Sequence, residues 1–155
     1  LAVILFMILF YRIPDIFADI ALLLYLVLLL ELFKVIPVTL TLAGIAGVIL
    51  SVGMAVDANV LIFSRMREEL REGEGFLIAM EEGFVRAWPS IRDGNLTTLF
   101  VSLILFWFGS SFVQGFALTL SLGIVLSMFS AIVVTRSLLR MFAGTFFEKL
   151  TWLWK

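Results

Sequence analysis

The sequence predicts an all-α membrane protein: a helical bundle of about four complete transmembrane helices, one truncated N-terminal helix and an amphipathic helix on the cytoplasmic side. Three observations carry this expectation. Of the 155 residues, 63% are hydrophobic and only 15% charged, and the mean hydropathy is +1.17, far from the balance of a soluble domain. Apolar runs recur near the length of about 20 residues that a helix needs to cross a bilayer. The charges gather between those runs, with one exception taken up below.

Composition also narrows the chemistry. Cys and His are both absent, which removes disulfides, thiol nucleophiles, zinc sites of the usual kind and imidazole proton relays. Carboxylates, Arg, Lys and Tyr are left for proton work. The net charge of -1 comes with no basic stripe interleaved with aromatics, so no nucleic-acid partner is expected, and neither is a metal or cofactor. A soluble enzyme is excluded.

Residues 1–12 form an apolar run closed by Tyr11-Arg12, too short to span and read as the end of a truncated transmembrane helix. A signal peptide fits poorly, because no basic segment precedes the run and no small-residue cleavage site follows it. Residues 13–63 read as two transmembrane helices. The first starts at Pro14-Asp15, with Asp19 one turn on, all suited to a helix N-terminus, and Glu31 and Lys34 near its far end read as interfacial anchors. Pro37 ends it. The second runs from about Val38 to Phe63. At 100° per residue, Ala43, Ala46, Leu50, Gly53, Asp57 and Ser64 share one face, and Gly47, Ser51, Ala55 and Asn59 form an adjoining stripe. Both are rich in small residues, so this helix should be central to the bundle.

Residues 64–95 read as a cytoplasmic loop with an amphipathic helix, in which Phe76, Met80, Phe84, Trp88 and Ile91 recur at helical spacing. The pattern alone leaves open whether that helix packs under the bundle or lies passively at the surface. Residues 96–140 supply two more transmembrane helices around a turn at Gly109-Ser110-Ser111. The second of these carries Gly115, Ala117, Ser121, Gly123, Ser127, Ser130 and Ala131 for close contact. Residues 141–155 read as a cytoplasmic interfacial tail anchored by Trp152 and Trp154. Of the 11 Lys and Arg, all but Lys34 fall on one side, which the positive-inside rule makes cytoplasmic.

The exceptional charge is Asp57. It precedes Arg65 by eight residues, about 12 Å along a helix, and so lies well inside a hydrocarbon core about 30 Å thick. A side chain as short as Asp cannot snorkel from there. It must be protonated, paired through hydrogen bonds, or in contact with a wet path. Burial raises a carboxyl pKa and a nearby cation lowers it, so alternation between the two environments would let Asp57 take up and release a proton. The bland alternative is an acid that only fixes helix packing, and intramembrane acids are functional by default. Asn59 and Ser64 suit packing or hydrogen bonding better than ion ligation. Thr97 and Thr98 could equally bond their own helix backbone. Every Arg and Lys falls at an interface or in a loop, so a counter-charge to Asp57 would come from a partner.

Three ordered motifs carry a family resemblance. Gly53-Met54-Ala55-Val56-Asp57-Ala58-Asn59-Val60-Leu61-Ile62-Phe63 with Arg65-Met66-Arg67-Glu68-Glu69 resembles the fourth transmembrane helix of the SecD family of protein translocase subunits. Asp93-Gly94-Asn95-Leu96-Thr97-Thr98-Leu99 resembles the start of that family's fifth helix. Gly115-Phe116-Ala117-Leu118-Thr119-Leu120-Ser121-Leu122-Gly123-Ile124, with Ser127-Met128-Phe129 and Thr135-Arg136, resembles its sixth. The resemblance runs from about Asp15 to Leu139 and implies the C-terminal membrane half of the family, whose first helix and large external domain lie outside it. It implies half of a resistance-nodulation-division membrane domain completed by SecF, joined to the SecYEG channel in the bacterial or archaeal inner membrane. There, proton flow through Asp57 would drive an external domain that draws unfolded preprotein outward. Ser64 departs from the acidic residue common in the family, and Gln114 from a frequent Lys. An efflux-type transporter of the same superfamily and a non-conducting scaffold are the alternative readings.

Overall fold

A computed structural model describes residues 13–36 and 41–142. The described chain is helical: α1 (Ile13–Val35), α2 (Leu42–Glu72), α3 (Phe76–Phe108), α4 (Ser111–Phe129), a π-helical segment (Ser130–Thr135) and α5 (Arg136–Phe142). The last three follow one another without a break, so that Ser111–Met141 forms a single rod. That rod, α2 and α3 are each long and apolar enough to cross a membrane, and the 23 residues of α1 reach about 35 Å. The apolar run 1–12, the turn at Pro37 and the tail with Trp152 and Trp154 lie outside the described residues.

Two boundaries differ from the sequence reading. α2 does not stop at Phe63 but continues through the charged stretch to Glu72, because Phe63, Met66 and Leu70 keep facing the bundle at helical spacing. Its end is set by Gly73 at φ 99, a left-handed position that glycine occupies without steric cost. There the amide of Glu74 reaches back to the Glu69 carbonyl at 3.2 Å. The amphipathic segment and the apolar one after it are likewise a single helix, α3. Pro89 lies inside α3 and cannot donate to the carbonyl one turn before it. That carbonyl belongs to Val85, whose residue is 65% exposed, so the unused acceptor lies on an open side of the helix. The amphipathic half packs under the bundle: Phe76, Ala79 and Met80 are buried with Phe63, Met66, Leu70 and Ala18.

α2 is central, packed against α1, α3 and α4. Its buried stripe is Gly44, Gly47, Ser51, Ala55, Ala58 and Asn59, continued by Ile62 and Met66. The small residues let the partners come close. A Cβ added at Gly47 would lie 2.7 Å from the Phe116 carbonyl oxygen, one at Gly123 would overlap the Ser51 side chain, and one at Gly83 would lie 2.8 Å from the Met66 amide nitrogen. The polar groups on these contacts are satisfied across helices. Tyr25 of α1 donates to Ser51 Oγ at 2.9 Å, Thr119 Oγ1 reaches the Gly44 carbonyl at 2.9 Å, and Ser102 and Ser121 join α3 to α4 at 2.7 Å. Outward, Leu23, Val27, Leu30, Phe100, Ile104 and Trp107 are exposed, as expected of surfaces that meet lipid rather than water.

The close approach at Gly83 gives a stability test. In Gly83→Val the added carbons meet backbone rather than a movable side chain, so a loss of about 1–3 kcal/mol is expected. Gly53→Ala, whose Cβ meets nothing within 4 Å, should stay within about 0.5 kcal/mol. Thermal unfolding of the purified variants in detergent measures both.

Candidate proton site

Asp57 lies on the side of α2 opposite Asn59, since two residues along a helix are about 200° apart. Asp57 is exposed, whereas Asn59 is 4% exposed. The carboxylate opens into a groove of about 410 Å³ between α2 and α3. Leu50, Met54, Ala58 and Leu61 line one wall, and Ser90, Ile91, Gly94, Asn95 and Thr98 line the other. Among the described residues it has no hydrogen-bond or ion-pair partner. The other face members Ala46, Leu50, Gly53 and Ser64 are exposed with it, and only Ala43 at the far end is buried. Of the two small-residue stripes on α2, the described residues cover the one that includes Gly47, Ser51, Ala55 and Asn59, and leave exposed the one that carries the acid.

The groove brings together only some of the sequence-expected residues. Thr98 is in its wall, with its hydroxyl donating to the Gly94 carbonyl at 3.1 Å. Thr97 is not, and its hydroxyl donates to the Asp93 carbonyl at 2.8 Å. Gly53 and Ser64 sit on the open face above and below the acid without touching the groove. Asn59 faces the interior, where Oδ1 accepts a 2.9 Å hydrogen bond from Thr135 Oγ1. Thr135 closes the π segment, so α2 is tied to the irregular part of the last rod two residues from Asp57.

Three features were missed. Ser90 and Asn95 supply polar groups opposite Asp57, and the spacing Ser90, Gly94, Thr98 marks a small polar stripe at four-residue intervals. Asp19 is more than a helix-start charge, because its Oδ1 is buried without a hydrogen-bond partner among the described residues. Glu81 in the polar first half of α3 clasps the end of the last rod. It accepts from Arg136 and, at 2.6 Å, from Arg140. The hydrogen bond from Arg140, then that from Arg136, hold the Glu81 carboxyl below its ordinary pKa. On the same side, Arg86 pairs with Glu69, and Arg65 with Glu68 at 2.9 Å. Glu31 and Lys34 form a 2.7 Å pair at the end of α1, exposed and therefore worth little.

A bundle whose long helices are apolar enough to cross a membrane is the architecture of a multi-pass membrane protein. The family model for the C-terminal region of the protein export membrane proteins SecD/SecF matches residues 1–145, and the chain belongs to that family. It is similar to the protein translocase subunit SecD of Thermobaculum terrenum, at 55% identity over 99% of this chain and 30% of that protein. Against the subunit of the same name from Dehalococcoides mccartyi the figures are 57%, 92% and 33%. In fold it is similar to the crystal structure of SecDF, a translocon-associated membrane protein from Thermus thermophilus. The TM-score is 0.88 at 39% identity, over 92% of this chain and 20% of that one. The chain thus spans about a third of the length of these curated relatives.

The Asn59–Thr135 contact is testable apart from any transport. Thr135→Val keeps the shape but leaves a buried amide oxygen unpaired, which should cost about 1–3 kcal/mol. Thr135→Ser should recover most of the loss. Thermal unfolding of the three proteins side by side gives the comparison.

Proposed function

We propose that this chain is the membrane half of a protein-export subunit, and that Asp57 couples proton movement to preprotein translocation. The observation that carries the reading is the placement of Asp57 on the one small-residue face of α2 that the chain leaves open, beside a groove with polar groups from α3. An acid at that depth needs a solvating partner. A second subunit laid on the open face would supply the counter-charge that the described residues do not offer there, and SecF is the partner that family membership suggests. The groove would give Asp57 access to water, and cover by the partner would withdraw it, which is the alternation that a proton carrier requires.

On this reading the complex sits in the inner membrane beside the SecYEG channel. The polar end, with Arg65, Arg86, Arg136 and Arg140, faces the cytoplasm, as the positive-inside rule places it. Unfolded preprotein would be handled outside the bilayer by parts of the protein beyond this bundle. The bundle's own task would be to convert protonation of Asp57 into a shift of α2 against α3. An efflux-type transporter of the superfamily would use the acid in the same way but would carry a different substrate.

The test is Asp57→Asn in the full-length protein, assayed in membrane vesicles for preprotein export with and without a proton gradient. The expected result is loss of the gradient-dependent increment, with normal assembly. Undiminished gradient-dependent export would contradict the reading and favour a scaffold. Gradient-dependent efflux of a small molecule without any effect on export would favour the transporter.

A further inference from the structure

On the side of α3 that meets the π segment, Phe84, Val85, Trp88, Ile132 and Arg136 line a second hollow of about 340 Å³. It has no part in the Asp57 groove. Four of its five walls are apolar, and Arg136 closes one end, with its guanidinium carbon 6.0 Å from the centre of the Phe84 ring. The arginine is only partly neutralised. Glu81 carries one negative charge against the two positive charges of Arg136 and Arg140, so the clasp retains a net positive charge. The Arg136 side chain is 40% exposed, while its Nε–H is buried with no acceptor among the described residues. Glu82, one residue beyond Glu81, is exposed and does not line the hollow.

The hollow lies at headgroup depth. Trp88 precedes Phe108, the far end of α3, by a stretch of helix about 30 Å long, the thickness of the hydrocarbon core. Tryptophan is favoured at that level. Arg136 follows the last apolar turns of the opposite rod. A stretch of acyl chain below its phosphate suits this lining, with methylenes against Val85, Trp88 and Ile132 and a phosphate oxygen toward the exposed part of Arg136.

We propose that this hollow is a binding site for an anionic phospholipid. The surplus positive charge decides the lipid class. A zwitterionic headgroup would bring its own cation back against Arg136 and Arg140, whereas a phosphatidylglycerol-type headgroup adds only negative charge. The bound phosphate would pair with the exposed part of the Arg136 guanidinium and brace the end of the π segment against α3.

Native mass spectrometry of the full-length protein, carrying phosphatidylglycerol or phosphatidylcholine with the same acyl chains, tests the site. Retention of phosphatidylglycerol should exceed that of phosphatidylcholine by about fivefold, the effect of one basic contact near a membrane surface. Arg136→Gln should abolish the preference and Arg136→Lys should keep most of it. Because Arg136→Gln also weakens the clasp to Glu81, Val85→Trp, which fills the hollow and leaves every ion pair in place, should lower retention as well. Equal retention of the two lipids by the wild-type protein, or a preference that survives both Arg136→Gln and Val85→Trp, would overturn the proposal. So would a photo-reactive residue at position 85 that captured protein and no lipid.

Discussion

A carboxylate at hydrocarbon depth must be solvated by something, and the proposed role of Asp57 rests on that constraint. Asp57 can neither reach the headgroups nor remain charged in lipid without a partner. The helix that carries it must therefore be held firmly on one side while its other side stays available. α2 meets both needs with small residues. One stripe, with Gly47, Ser51, Ala55 and Asn59, brings α1, α4 and the π segment close; the other, with Ala46, Leu50, Gly53 and Asp57, is exposed among the described residues.

The held side buries apolar side chains such as Leu22 and Leu29 of α1 against Ala55, but lipid tails compete equally for apolar surface. Its specificity comes from polar pairs: Tyr25 with Ser51, Thr119 with the Gly44 carbonyl, and Thr135 with Asn59. Each buries donors and acceptors that have no good alternative in lipid, so each fixes the register of one helix against α2. The irregular turn of the last rod lies where one of these pairs is made, and it leads directly into Arg136 and the clasp on Glu81. A physical chain therefore runs from Asn59, two residues from Asp57 on the opposite face of α2, to the polar end of the bundle.

Much of this was legible in the sequence. The central helix, its two stripes and the turn at Gly109 follow from periodicity and composition. Periodicity could not say which stripe the chain covers, because Ala46 and Gly53 look as ready for a close contact as Gly47 and Ala55. The continuity of α3 was obscured by Arg92 and Asp93, which read as a loop but are an exposed pair on a helix surface. The π segment has no local signature: Ser130 to Thr135 is an ordinary small and apolar run, and only the reach of Thr135 to Asn59 gives it a role. Asn95 and Ser90 face Asp57 through the crossing of α2 and α3, a relation that belongs to tertiary packing and not to either segment.

The central claim is that the Asp57 face of α2 is completed by another subunit. Because the chain has no cysteine, single cysteines can report it. In native membranes Leu50→Cys should form a disulfide with one of a series of cysteines scanned along the partner's helices, while Val27→Cys, exposed on α1, should not. If Leu50→Cys pairs with no position and remains open to lipid-phase thiol reagents in the assembled complex, the acid has no partner there and the account is wrong.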